Sequence, residues 1–423
     1  MEYLPFSKLE FLMATCLSSV QVGNKSIPFI FEESHQLPIV HLDLVFQNSG
    51  SIFDGDLPGL VHLVSKLLNE GSGKSGIDKF VQKLDSNAIK LFAINGYESF
   101  SISITTLKEK LPQGIELLKE LLEYPNLDKK VLEKVKNRTL SSILKFSDDF
   151  DYQASKNLQK LIFNLPPIFG ESETIRKIEL AHIEKYIRNY LIVENVVPVI
   201  GGDVGEDEAK EILQSLIAVL PNGKSRELPK LEFAPKKDRI IEYRDTKQSY
   251  IYFASPFNLQ YSDEDIYKAK VMFFILGSSG FGSRLMEEVR VKHGLAYSVS
   301  GNRHISKTRS YFSGHLQTSI ENQDRAIELV ENVIGEFIKK GATAEELKSA
   351  KDFILGSEPL RNETLPQRLG QAFNNYYYGH SINHHKETLE KIAKLKLSDL
   401  NRFIKSHKEI LELRYSIITQ KGK

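Results

Sequence analysis

Arg290 and Tyr297 stand seven residues apart in SRLMEEVRVKHGLAYSVS, residues 283–300. A guanidinium keeps its charge at any working pH and a phenol offers a rotatable hydroxyl. Together they can donate to a peptide carbonyl, or to the oxyanion that forms when that carbonyl is attacked. The same pair also suits a plainer use, a surface ion-pair former beside a core-edge aromatic. The elements around them decide which reading applies. Ser283 is placed to cap a short helix with Glu287 and Glu288 in its first turns, Gly294 closes that helix, and residues 295–299 read as a strand. A helix-to-strand turn of this kind presents both donors on one lip.

The rest of the chain supplies two similar sets of such elements. VQVGNKSIPFIF turns at Gly23-Asn24, IVHLDLVF alternates apolar and polar residues, a helix follows at 57–69, and a strand pair spans 87–106 with its turn at Asn95-Gly96. Helices are expected at 111–123 and 128–145, and NVVPVIGG closes the first set. The second set repeats the order: SYIYFASPF, a helix at 264–276, the strand pair LAYSVSGNRH and SYFSGHLQTS, helices at 326–339 and 344–360, then ELRYSIIT. This predicts an α+β protein of two similar domains, each a mostly antiparallel sheet with helices packed on one face. The expected boundaries are 1–219, a proline-bearing linker at 220–238, and 239–423.

Composition narrows the function classes. Lys plus Arg number 56 against 55 Asp plus Glu, a net charge of +1, which gives no whole-chain attraction for nucleic acid or an anionic membrane. The single cysteine, Cys16, excludes an intramolecular disulfide and a cysteine-based zinc knuckle. LEFLMATCLSSV, residues 9–20, is too short to span a bilayer, and Glu2 and Glu10 against Lys8 do not make a signal peptide, so it reads as a first strand. A cytoplasmic protein with no membrane span is the expectation, with the periplasm as the alternative.

Two further segments imitate sites. GSGKSG at 71–76 has the look of a phosphate loop, but the leading glycine would be residue 68, which is Leu68, and the segment follows a helix where such a loop follows a strand. His380, His384, His385 and Glu387 have partial metal spacing in a polar stretch and read as a solvated loop.

The order GSSGFGSRL, VR, GLAYSVS and YFSGHLQT resembles the second domain of the pitrilysin/insulinase metallopeptidases and mitochondrial processing peptidase subunits. QVGNKSIPFIFEESHQLPIVHLDLVFQNSGS followed by GLVHLVSKLLNEGSG resembles the opening hairpin and first long helix of the same family. In catalytic members that helix carries His-x-x-Glu-His, two imidazoles on one face that bind zinc and a glutamate that acts as general base. Here the window reads His62, Leu63, Val64, Ser65, Lys66. The resemblance therefore implies one remaining ligand, a hydroxyl in place of the base, and an ammonium with no lone pair in place of the second imidazole. The family's third ligand, a glutamate, falls in VLEKVKNRTLSSILKF at Ser141 and Ser142. His62 on its own reads as a helix histidine satisfied by a neighbour.

The resemblance implies an active site assembled from two halves, with zinc and base in one and the Arg/Tyr pair in the other. This chain is similar to the zinc-free half. The expectation is a non-zinc subunit of a heterodimeric zinc endopeptidase cleaving peptides or unfolded segments, with no cofactor of its own. Zinc would sit in a homologous partner bearing an intact His-x-x-Glu-His, Arg290 would hold a substrate carbonyl, and Tyr297 would donate to the oxyanion. The family takes extended peptides by strand addition, and the matching edge is residues 87–89. The alternative is a catalytically inactive structural subunit of the same fold. A third reading, an active homodimer with a new metal site, ranks last. The short GSSGFG in place of a long glycine-rich loop argues against presequence recognition.

Overall fold

The computed structural model describes residues 15–236 and 238–421. The chain begins with β1 (Cys16–Val22), β2 (Lys25–Glu33) and β3 (Ile39–Gln47), then α1 (Leu60–Leu68), α2 (Ile77–Ser86), β4 (Lys90–Asn95), β5 (Ser99–Leu107), α3 (Leu111–Glu123), α4 (Lys129–Phe146) and α5 (Phe150–Phe163). It continues with α6 (Ser172–Lys177), α7 (Leu180–Tyr190), β6 (Val196–Gly202), α8 (Glu206–Ile217), β7 (Arg239–Tyr243), β8 (Gln248–Pro256) and α9 (Ile266–Phe273). The last part holds α10 (Arg284–Met286), β9 (Val299–Ile305), β10 (Ser310–Ser319), α11 (Gln323–Lys340), α12 (Ala344–Gly356), α13 (Glu358–Arg361), α14 (Leu365–Tyr377), α15 (His384–Lys394), α16 (Leu397–Ser406) and β11 (Arg414–Thr419). The expected first strand is met by β1 for its later part, while residues 9–14, with Glu2 and Lys8, lie outside the described residues.

The two sheets share one topology. The first runs β1-β2-β6-β3-β5-β4 and the second β7-β11-β8-β10-β9. β2 lies parallel to β6 as β7 does to β11, and the remaining neighbours are antiparallel in both. This is the α+β duplication that the alternating strands predict. In β3 the alternation sorts faces: Val40, Leu42, Leu44 and Phe46 are buried, while His41 and Asp43 are half-buried on the other side.

Two compact units interleave along the chain. One takes residues up to 140, 168–227 and 361–377, and the other takes 141–167, 228–360 and 378 onward. Residues 221–236 carry neither helix nor strand. In the first unit α14, drawn from late in the sequence, lies over the His41 face of the sheet, where Leu365 and Leu369 pack beside Gly201. In the second unit α5, drawn from early in the sequence, lies over the equivalent face, and its Leu158, Ile162 and Phe163 cluster with Ala254 and Tyr311. The main core of that unit, built on Phe253, Phe273, Phe312, Val330 and Phe337, occupies the opposite side. Each sheet therefore has helices on both faces, one of them a single helix contributed from the other end of the chain.

Arg414, almost wholly buried on β11, closes the polypeptide between the sheets' sequences. It donates to the carbonyls of Ala234, Pro235 and Lys236, and its guanidinium lies over Phe233. Backbone carbonyls that a loop would otherwise leave to water are in this way satisfied by one side chain.

Candidate functional site

In the first unit, α1 begins where the Asp54 carboxylate accepts from the backbone N–H of Gly59 and Val61, both at 2.8 Å. Burial raises the Asp54 carboxyl to about 7 against the pull of those two bonds. Gly59 has φ +94, and a Cβ there would stand 2.8 Å from Gly170 Cα, so only glycine fits. The helix is buried along its length except at Lys66, which is exposed. His62 is 6% exposed and meets Phe169 edge-on with ring centroids 4.9 Å apart. Its Nδ1 has no hydrogen-bond partner, and burial, with Lys66 adding repulsion, lowers its pKa to about 4. The imidazole is therefore neutral at physiological pH. Ser65 Oγ lies 2.8 Å from the His62 carbonyl and 3.0 Å from Asn95 Oδ1, so the hydroxyl in the base position is engaged. Ser141 and Ser142 are exposed on α4.

Zinc wants three lone-pair donors converging at about 2 Å. Here an ammonium stands in place of one donor along α1 and an engaged hydroxyl in place of the base, and among the described residues no three His, Cys, Asp or Glu side chains come together to hold a metal. The residues present do not fit the ion.

The neutral His62 gives a signed pH effect. Between about pH 6.5 and pH 4 the unfolded chain takes up a proton that the folded chain refuses, so stability falls as pH falls through that window. Relative to the wild type, His62→Leu should become more stable on going from pH 7.5 to pH 4.5 by about 2–3 kcal/mol, as read by urea denaturation. Asp54 slopes the opposite way, since its raised pKa makes its contribution greatest at low pH and lost as pH rises through about 7. Comparing variant with wild type at each pH removes that common term. An unchanged difference would show His62 to titrate normally.

In the second unit, Ser283 is the cap that its sequence position predicts. Its Oγ accepts from Met286 N at 3.4 Å and donates to Gly280 O at 2.8 Å. After α10 the backbone widens into a π-turn over 287–292, with His293 N reaching Glu288 O. Such widened turns concentrate at functional sites because they re-aim side chains. Gly294, at φ +60, ends it: Gly294 N bonds Arg290 O and Leu295 N bonds Val289 O, each one residue wider than the usual glycine closure. The expected strand at 295–299 is corrected to a start at Val299, because Leu295 N is taken by that closure and Leu295 O accepts from Thr318 Oγ1 at 2.6 Å.

Leu295, Ala296 and Val299 are buried, which leaves Tyr297 standing out at 81% exposure. The Arg290 guanidinium lies 4.5 Å from the Tyr297 ring centroid and 4.8 Å from that of Phe281, itself 71% exposed between Gly280 and Gly282. Two aromatic faces hold the cation while its N–H edges reach no acceptor among the described residues. The structure thus brings Arg290 and Tyr297 together, and adds Phe281. In the sequence that phenylalanine is marked only by its place in a glycine run, a large apolar residue between two loop glycines.

Two other expectations change. The edge at 87–89 is a turn with Ala88 at φ +53, and β4 is the edge strand. Asn69, which follows the last residue of α1, bonds both backbone groups of Ala93 there, at 2.9 and 2.7 Å. The 380–387 stretch is a turn over 380–383 that runs into α15 at His384. His380, in that turn, stacks on His384 at 4.0 Å and meets the Tyr261 carbonyl, and His385 pairs closely with the buried Glu358. The GSGKSG segment follows α1, as the sequence indicates, and its Ser75 Oγ accepts from Lys83 Nζ at 3.1 Å.

Comparison with known proteins agrees with this geometry. Residues 29–169 match the model for Insulinase (Peptidase family M16), and residues 177–353 match that for the Peptidase M16 inactive domain. A Helicobacter pylori protein named "Non-peptidase homolog YmxG" is 39% identical over 416 residues, covering 97% of this chain and 96% of that protein. "Uncharacterized zinc protease YmxG" of Bacillus subtilis is 22% identical over 351 residues, 82% of this chain and 84% of that protein. In fold, the chain superposes on a peptidase M16 inactive domain from Pseudomonas fluorescens with a TM-score of 0.87 at 24% identity, covering 96% and 98% of the two chains. It superposes on a protease from Helicobacter pylori with a TM-score of 0.80 at 16% identity, covering 96% and 100%. A similarity of this degree, running through both sheets and nearly the whole length, makes this chain a member of the insulinase, or M16, peptidase family.

Proposed function

We propose that this chain is a catalytically inactive M16 subunit, one that contributes architecture and binding surface and does not hydrolyse peptides itself. The observation that carries the reading is α1, where a neutral buried His62 stands beside an engaged Ser65 and an exposed Lys66. Water activation needs a metal or a base, and that helix offers neither. The name borne by the relative at 39% identity supports the same conclusion. The purified chain should contain well below one zinc per polypeptide and should leave an unstructured fluorogenic peptide uncut, with or without a chelator. Chelator-sensitive turnover by the isolated chain would overturn the reading.

A second reading is favoured by one observation, the guanidinium of Arg290 held ready beside an exposed phenol. In it the chain lends Arg290 and Tyr297 to a homologous partner that carries an intact His-x-x-Glu-His and the zinc. Arg290 would hold the substrate carbonyl, and Tyr297 would donate to the oxyanion. With that partner reconstituted, Tyr297→Phe should lower turnover by about ten- to a thousandfold. Wild-type turnover in the variant would remove the pair from the reaction.

A further inference from the structure

The shared topology of the two sheets exposes one unequal place. In the first sheet β2 is covered on its outer edge by β1, antiparallel, in the register Ser19↔Pro28. Its counterpart in the second sheet, β7, is the last strand, and among the described residues no strand lies beyond it. β7 reads Arg-Ile-Ile-Glu-Tyr, with no proline, lysine or bulge to blunt the edge. Ile241 is 37% exposed and Tyr243 55% exposed.

The ladder to β11 shows which backbone groups remain free. Tyr415 N bonds Asp238 O, and Arg244 N bonds Thr419 O. Even-numbered residues thus turn their polar groups toward β11, and Arg239, Ile241 and Tyr243 turn theirs outward. Of these, Arg239 N is capped by the Asp238 carboxylate at 2.7 Å, whereas Ile241 presents both groups.

We infer that β7 pairs with β7 of a second copy of this chain, antiparallel about a two-fold axis through Ile241. The sequence of the strand is complementary to itself in that register. Ile241 exchanges both backbone bonds with its copy and packs on it, and Arg239 falls opposite Tyr243, a cation against an aromatic ring, at each end. Ile240 and Glu242 lie on the other face, where Glu242 is already held by Asn157 and Arg244. The second copy's strand occupies the place that β1 fills in the first sheet, with the same antiparallel sense. A five-residue edge is a small interface, so the dimer is concentration-dependent, with half-association at roughly 10–100 μM.

Light scattering coupled to size exclusion, from about 1 to 300 μM, tests this. The full chain should pass from monomer to dimer. Ile241→Pro removes an N–H that the fold does not use and fixes a φ that an edge strand tolerates, so it should stay folded and monomeric. Tyr243→Arg, which sets arginine against Arg239 of the copy, should weaken association at least about tenfold. With Cys16→Ser as background, Ile241→Cys should form a disulfide-linked dimer on oxidation, because directly opposed residues of a hydrogen-bonded pair lie about 5.5 Å apart. A chain that stays monomeric throughout, including one that instead binds some other protein at this edge, overturns the inference. So does a dimer that survives both Ile241→Pro and Tyr243→Arg, or the absence of the cross-link.

Discussion

Residues 1–237 and 238–423, expressed separately, should each fail to give a soluble, cooperatively folded protein, while co-expression of the two should restore one. The reason lies in the interleaving. The first piece lacks α14, so the sheet face that Leu365 and Leu369 cover at Gly201 is left open, and Glu32 loses the cation that neutralises it. The second piece lacks α5, and with it Leu158, Ile162 and Phe163, which close over Ala254 and Tyr311. It also lacks Phe233, on which the buried Arg414 rests, together with the carbonyls of Ala234 to Lys236 that accept its hydrogen bonds. A buried guanidinium stripped of three of its acceptor carbonyls, with Glu412 alone left to it, costs several kcal/mol, enough to remove much of an ordinary domain's stability. Solubility, circular dichroism and thermal melts of the separate and paired pieces measure the outcome. A monomeric, cooperatively melting piece from either half would show that the covering helices are dispensable.

This interleaving marks the limit of what could be read from the sequence. The two sheets were legible because β3, β5 and β10 alternate cleanly and each sheet buries one strand face; SYFSGHLQTS was placed to the residue as β10. The helices that cross to the other unit were not. α5 and α14 are amphipathic with polar exposed sides, and no local period tells which sheet a helix will cover. β7 escaped notice because five residues at an edge give too short a run to separate from the linker before it. At the site, the degenerate α1 window was fully readable, since it rests on side-chain chemistry: Ser65 has no carboxylate and Lys66 no lone pair. The pairing of Arg290 with Tyr297 was legible from their spacing across a helix end. Its actual form, a guanidinium between two rings on a π-turn, was not, because a widened backbone turn leaves no residue signature.

Arg368→Ala should destabilise the chain by about 3–5 kcal/mol, the largest loss expected from any single substitution considered. Glu32, on β2, is fully buried: its Oε1 accepts from Arg368 Nε at 2.8 Å and has Arg368 Nη2 at 2.7 Å, and its Oε2 accepts from Thr15 Oγ1 at 2.6 Å. The guanidinium also donates to the carbonyls of Asn362 and Glu363, so one side chain both neutralises the sheet and fixes the approach to α14. Removing it leaves a carboxylate in a low-dielectric site with a single hydroxyl for company, and it is this stranded charge, more than the loss of attraction, that sets the magnitude. A stranded charge also has a remedy. Replacing both partners with apolar side chains, Glu32→Leu with Arg368→Met, should recover most of the loss, because no charge then remains to be buried. Arg368→Lys should fall between, since an ammonium keeps the charge but cannot bond the carboxylate and two carbonyls in one plane. Urea denaturation of the four proteins reads these differences. A loss under about 1 kcal/mol in Arg368→Ala, or a double variant as weak as the single, would mean that Glu32 is neutralised or hydrated by other means and that α14 is held by its leucines alone.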